Sequence, residues 1–166
     1  EEIISAASCT TNCLAPVLSV VEKEYGIEKG YMTTIHAYTN DQVTLDVSHK
    51  KGIQARRGRA CGMNIVPTST GAAKAIGKVI PSLNGKMKGG AMRVPVSDGS
   101  LVDLTLQLKK NVTVSEINDL FKANVNETLH YTDDPIVSSD VISSTCGATV
   151  DGNLTDVLDG ENGQLV

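Results

Sequence analysis

Leu14, Val17, Leu18 and Val21 recur on one stripe at helical spacing, so residues 10–25 read as an amphipathic helix that Gly26 can cap. Pro16 falls inside that span, where it removes one backbone donor and tends to kink a helix, and it is tolerated best within the first turn or two. From Tyr31 to Tyr38 the period shortens to two and Thr and Tyr are frequent, which predicts a strand. Residues 40–63 show no sustained period and carry Gly52, Gly58 and Gly62, so they read as one long loop. A second helix is expected from about Thr70 until Pro81 stops it. "AMRVPV" and "LVDLTLQLKK" are strand candidates; in the latter Leu101, Asp103, Thr105 and Gln107 oppose Val102, Leu104, Leu106 and Leu108. Thr113 and Glu116 have capping-box spacing ahead of an apolar stripe at Ile117, Leu120 and Phe121. "PIVSSDVI" and "TCGATVD" complete the expected strands, and no repeat interrupts the order. Three helices among these strands favour an α+β fold: a mixed, largely antiparallel sheet with helices packed on one face.

Composition narrows the picture. A chain of 166 residues reads as one domain able to bury roughly 70% of its unfolded surface. With no Trp and a single Phe121, the core must be aliphatic. No apolar run reaches the roughly 20 residues of a membrane span. The acidic start "EEII" does not resemble an export signal, and four cysteines do not make a disulfide scaffold, so a cytoplasmic location is expected. A net charge of −4 gives no general attraction for nucleic acid. The basic stretch "HKKGIQARRGR" is the local exception, and a run of that kind is ordinarily a solvated loop. "DGNLTDVLDGE" is its acidic counterpart, a turn-rich surface. The chain ends on "GQLV", which reads as the first residues of a strand, so a fragment of a longer protein is expected.

The chemistry-bearing residues are few. Cys9 stands at a helix start, where free N–H groups and the helix dipole favour a thiolate. Ser8, Thr10, Thr11 and Asn12 surround it with polar groups. By itself it is a nucleophile or a small buried residue. Cys13 lies one turn further on, but neither His36, His49 nor His130 has the spacing to complete a metal site with it, and a disulfide within the helix would be strained. His36 lies on the strand face shared by Met32, Thr34 and Tyr38, as a structural histidine or as a base for Cys9. Thr68, Ser69 and Thr70 precede a helix, an arrangement that suits an anion or an ordinary cap. Arg93, between apolar neighbours, needs a phosphate or a carboxylate if it faces inward.

Taken in order, "SCTTNCLAP", "HAYTNDQ", "RRGRA", "NIVPTSTGAAKAIGKVIPSLNGK" and "MRVPV" resemble the catalytic domain of phosphorying glyceraldehyde-3-phosphate dehydrogenases of bacterial type, over essentially the whole chain. The resemblance implies that Cys9 attacks the aldehyde and carries the acyl group as a thioester, and that His36 is the base. It implies that Thr39 and Arg93 hold the phosphate of glyceraldehyde 3-phosphate. Ser8, Thr10, Thr70 and Gly71 would line the site for inorganic phosphate, with Arg57 beside them, or Arg56 if the loop register shifts. The basic loop would lie at a subunit interface of a homotetramer, near NAD, with NADP as the other choice of cofactor. An erythrose-4-phosphate dehydrogenase is the alternative within the same design. Three features depart from the family pattern. The basic loop is about three residues longer, Val47–Ser48 stands where many members carry proline, and neither the N-terminal dinucleotide-binding domain nor the last strand and helix is present.

Overall fold

The structure, a computed structural model, describes residues 2–4, 8–160 and 164–166. Helix α1 spans Cys9–Glu24 and begins at Ser8, whose hydroxyl accepts from the Thr11 amide at 3.3 Å. Leu14, Leu18 and Val21 are buried along it, and Val17 packs at the edge of the core. The helix runs through Pro16 without interruption. Gly26 closes it at φ +70°, a conformation that favours glycine, with its amide bonded to the Glu22 carbonyl at 3.1 Å.

Strand β1, Ile27–Ala37, starts earlier than the alternation predicts, because Ile27 is itself fully buried beneath the end of α1. The segment 38–65 is the expected long loop, broken by one tight helical turn at Arg56–Gly58. Strand β2, Val66–Thr68, goes unrecognised in the sequence because it is too short to show a period. Helix α2, Ala72–Val79, and a short turn at Pro81–Leu83 follow, as the position of Pro81 predicts. Strands β3, Met87–Val94, and β4, Ser100–Leu108, complete a sheet ordered β2-β3-β1-β4. Within it β1 and β3 are parallel, while β2–β3 and β1–β4 are antiparallel. The alternation expected in β4 holds: Leu106 and Leu108 are buried, and Leu101, Asp103 and Thr105 are exposed.

The helices cover one face of this sheet. Leu14, Leu18 and Val21 meet Ile76 of α2 and Met32, Met87 and Leu106 of the sheet in one cluster, aliphatic apart from two methionines and Phe121. Gly89, paired with Met32 across β1–β3, lets the strands close; a Cβ there would stand 2.6 Å from the Met32 carbonyl oxygen. Helix α3, Val114–Ala123, carries the predicted capping box and buries Ile117 and Phe121.

One strand expectation fails. Residues 138–141 of "PIVSSDVI" form a tight helical turn, and Val137 and Ile142 are exposed with no strand beside them. The partner of β6, Ala148–Asp151, is instead β5, Leu129–Thr132, with Leu129 pairing Ala148 in a parallel two-stranded sheet. The strand expected at "GQLV" is present as bridges. Val166 and Leu106 exchange backbone hydrogen bonds and Leu165 bridges Gln107, while Gly163 lies outside the described residues. Among the described residues no helix is long and apolar enough to cross a membrane.

Candidate active site

The site forms where the start of α1 meets the end of β1. His36 shares the helix-facing side of β1 with buried Met32 and Thr34, so its ring is turned toward the N-terminus of α1. The Cys9 sulfur lies 2.9 Å from His36 Nε2, and the thiol is exposed. A nucleophile and a base in hydrogen-bond contact, 27 residues apart in sequence, are a geometry suited to thiol activation.

Arg93 stands beside this pair because the parallel register of β1 and β3 matches it with His36. Its Nη1 donates to the Ala37 carbonyl at 2.8 Å and also lies 2.8 Å from His36 Nδ1, which is itself 2.8 Å from the same carbonyl. Two proton arrangements fit this triangle. With hydrogen on Nδ1, His36 donates to the Ala37 carbonyl and leaves Nε2 free to accept from the thiol. With hydrogen on Nε2, Arg93 donates to Nδ1 and the ring donates to the sulfur.

A chain of polar contacts continues from Arg93. Asp41 lies 3.7 Å from Arg93 Nη2, forms an ion pair with Arg57 and accepts from the Thr39 hydroxyl at 2.8 Å. Arg57 in turn donates through Nε to the Thr68 hydroxyl at 2.7 Å and through Nη2 to the Ser69 carbonyl at 3.2 Å. Arg57 thus turns into the site, whereas Arg56 is exposed on the rim of an adjoining cleft. Burial lowers the pKa of both Arg57 and Arg93. The charge of Arg93 lowers that of Arg57 further, while the charge of Cys9 opposes the shift at Arg93.

The remaining residues singled out in the sequence lie around this chain. Thr10 is buried with its hydroxyl 3.9 Å from the Cys9 sulfur. The Thr70 hydroxyl accepts from the Ala72 amide at 3.2 Å, and a Cβ at Gly71 would meet no atom within 4 Å. Arg57 reaches the residue before Thr70 and Gly71 through the Ser69 carbonyl. His130 is exposed, and His49 accepts from the Lys51 amide at 3.1 Å in the basic loop. Cys13 points toward the core, where burial first, then the charges of Cys9 and Cys146, push its pKa up to about 11. Asp41 escapes a reading of the sequence, although the Thr-x-Asp spacing of Thr39 and Asp41 places a hydroxyl and a carboxylate within one turn.

The family model described as the glyceraldehyde 3-phosphate dehydrogenase C-terminal domain matches residues 8–166. The chain belongs to the glyceraldehyde-3-phosphate dehydrogenase family. It is 57% identical over all 166 residues to the glyceraldehyde-3-phosphate dehydrogenase of Clostridium pasteurianum, of which it covers 49%. The enzymes of that name from Clostridium acetobutylicum and Streptococcus pyogenes are each 55% identical over the same 166 residues, again with 49% of their length covered. The chain spans about half the length of these relatives. Within the family's C-terminal domain, the Cys9–His36 pair joins the start of α1 to the end of β1, with Arg93 beside His36 and Arg57 linked to Arg93 through Asp41.

Proposed function

We propose that the protein containing this domain oxidises glyceraldehyde 3-phosphate to an acyl phosphate, with Cys9 as nucleophile, His36 as base and inorganic phosphate as the final acyl acceptor. The observation that carries this reading is the 2.9 Å contact between the Cys9 sulfur and His36 Nε2, backed by two arginines. In the arrangement with hydrogen on Nδ1, Nε2 takes the thiol proton as sulfur attacks the aldehyde carbon. The resulting imidazolium stays oriented by the Ala37 carbonyl, which Arg93 holds from the other side. His36 returns its proton to the oxygen to give the thiohemiacetal, then accepts the proton of that hydroxyl; with loss of the carbon's hydrogen as hydride, which a bound nicotinamide would accept, a thioester is left on Cys9. The Cys9 amide at the start of α1 and the His36 ring polarise the carbonyl oxygen.

Thr39 and Arg93 hold the phosphate carried by the aldehyde. Arg57, Thr70, Gly71, Ser8 and Thr10 receive inorganic phosphate, whose oxygen attacks the thioester and releases Cys9. The open space at Gly71, with Arg57 held just ahead of it by Thr68 and Ser69, supports an anion approaching the start of α2.

The oxidation needs a hydride acceptor, which NAD, or NADP, supplies. The exposed thiol–imidazole pair fits the substrate side of such a site. The chain spans about half the length of its relatives, and in this reading the dinucleotide is cradled by a separate domain of the whole protein. The open outer face of the sheet, with Tyr31, Met92 and Leu101 exposed, supports assembly with further copies as a homotetramer.

The test is turnover of the full-length protein. The wild type should reduce NAD with glyceraldehyde 3-phosphate and phosphate, and with a higher kcat/KM than with erythrose 4-phosphate. Cys9→Ser should lose several orders of magnitude in rate, and turnover near the wild-type level in that variant would refute the assignment.

A further inference from the structure

We propose that Asp41 is a resident anion of the phosphate-binding cluster: its carboxylate stands in for phosphate between Thr39, Arg57 and Arg93 in the free site and must give way when phosphate binds. The inference rests on the reading of those three residues as phosphate donors, and adds a competitor built into the same chain.

The local backbone positions the carboxylate. The Gln42 amide donates to the Thr39 carbonyl at 2.9 Å, which closes a turn with Asp41 at its third position. Gln42, the last residue of the turn, is only 3% exposed. Asp41 Oδ1 then accepts from the Thr39 hydroxyl at 2.8 Å and faces Arg93 Nη2 at 3.7 Å, while Oδ2 pairs with Arg57. One carboxylate therefore engages a donor from each of the two proposed phosphate positions.

Charge and exposure favour exchange. Arg57 and Arg93 lie near enough for the charge of one to act on the other, so an anion between them relieves a repulsion. A carboxylate brings one negative charge and two oxygens. A phosphate brings up to two charges and three free oxygens, and matches the arginine forks better. The Asp41 side chain is 43% exposed, so it can swing into water without leaving a buried unpaired charge. It also borders a cleft of about 660 Å³ whose other lining includes Lys50, Lys51, Arg56 and Arg57 and no second acid. Among the described residues Asp41 is thus the one acid lining this basic cleft, and its removal raises the positive potential felt by an arriving phosphate.

The experiment compares the full-length wild type with Asp41→Asn and Asp41→Ser, using thermal melting titrated with inorganic phosphate, and KM for phosphate and for the aldehyde. Without anion both variants should melt below the wild type, because the two guanidiniums lose their counter-ion. Phosphate should then stabilise them more than it stabilises the wild type, with half-saturation at about threefold to tenfold lower concentration and a matching fall in KM. A carboxylate that only braces the loop would lower the melting temperature without that gain in phosphate affinity. Unchanged or weaker phosphate binding in both variants, with saturation of the wild type intact, overturns the role of Asp41 and leaves the donor reading standing. Absence of saturable phosphate binding in the wild type overturns that reading, and this inference with it.

Discussion

His36 and Arg93 are register partners across the parallel β1–β3 pair, and Arg93 Nη1 lies 2.8 Å from His36 Nδ1. The base of the proposed site is thus oriented by a residue of the neighbouring strand, through a backbone carbonyl that both side chains share.

Orientation of this kind should show in thiol reactivity. In the full-length protein, His36→Asn should slow alkylation of Cys9 by iodoacetamide at pH 7 by at least about tenfold. Arg93→Lys keeps the charge but loses the fork that reaches Ala37, so it should raise KM for the phosphorylated aldehyde and slow acylation as well. Peptide mapping of the alkylated protein and single-turnover kinetics measure the two effects.

Cys13 should respond to pH in the opposite sense from an activated thiol. Its pKa is raised in the fold from an ordinary 9.0 to about 11, so above pH 9 the unfolded chain gives up the proton while the folded one keeps it. The unfolded state then binds fewer protons, and stability falls as pH rises from 9 toward 11, by on the order of 2 kcal/mol. Urea unfolding across that range should show the loss, Cys13→Ala should flatten it, and iodoacetamide should modify Cys13 far more slowly than Cys9.

The α3 cap carries a second pH signature, on the acid side. Hydrogen bonds from the Thr113 backbone and hydroxyl hold the Glu116 carboxyl below its ordinary value of 4.5. The stability this supplies is complete above 4.5 and disappears as pH falls through the lower, folded value. Thr113→Ala should cost about 1 kcal/mol at neutral pH and weaken that acid dependence. Hydrogen exchange of the first α3 amides at neutral and acid pH reads both effects.

Gly89 tests the packing of the two strands that hold His36 and Arg93. Gly89→Ala drives a methyl group into the Met32 carbonyl and side chain, and should destabilise the full-length protein by about 1–3 kcal/mol in urea unfolding. Because the same strand pair sets the His36–Arg93 contact, the variant should also lower turnover more than its loss of stability accounts for.

Much of this was legible in residue order. The stripe of α1, the Thr113–Glu116 box, the alternation of β4 and the stop at Pro81 depend on residues within a few positions of one another, where side-chain period and local hydrogen bonds act directly. The motif strings around Cys9 and His36 likewise named the two residues that the fold brings to 2.9 Å. Three features were decided only by tertiary structure. The choice of β5 over residues 135–142 as partner for β6 depended on which segment lay beside Ala148, since both are short and neither has a decisive period. The contact of Arg93 with His36, 57 positions apart, depended on parallel register, and a slip of one residue would turn Arg93 to the other face. Asp41 became part of the site because the loop folds back to bring Arg57 beside it and Thr68, a closure fixed by ion pairing and hydrogen bonds between distant residues, which no local pattern along the chain encodes.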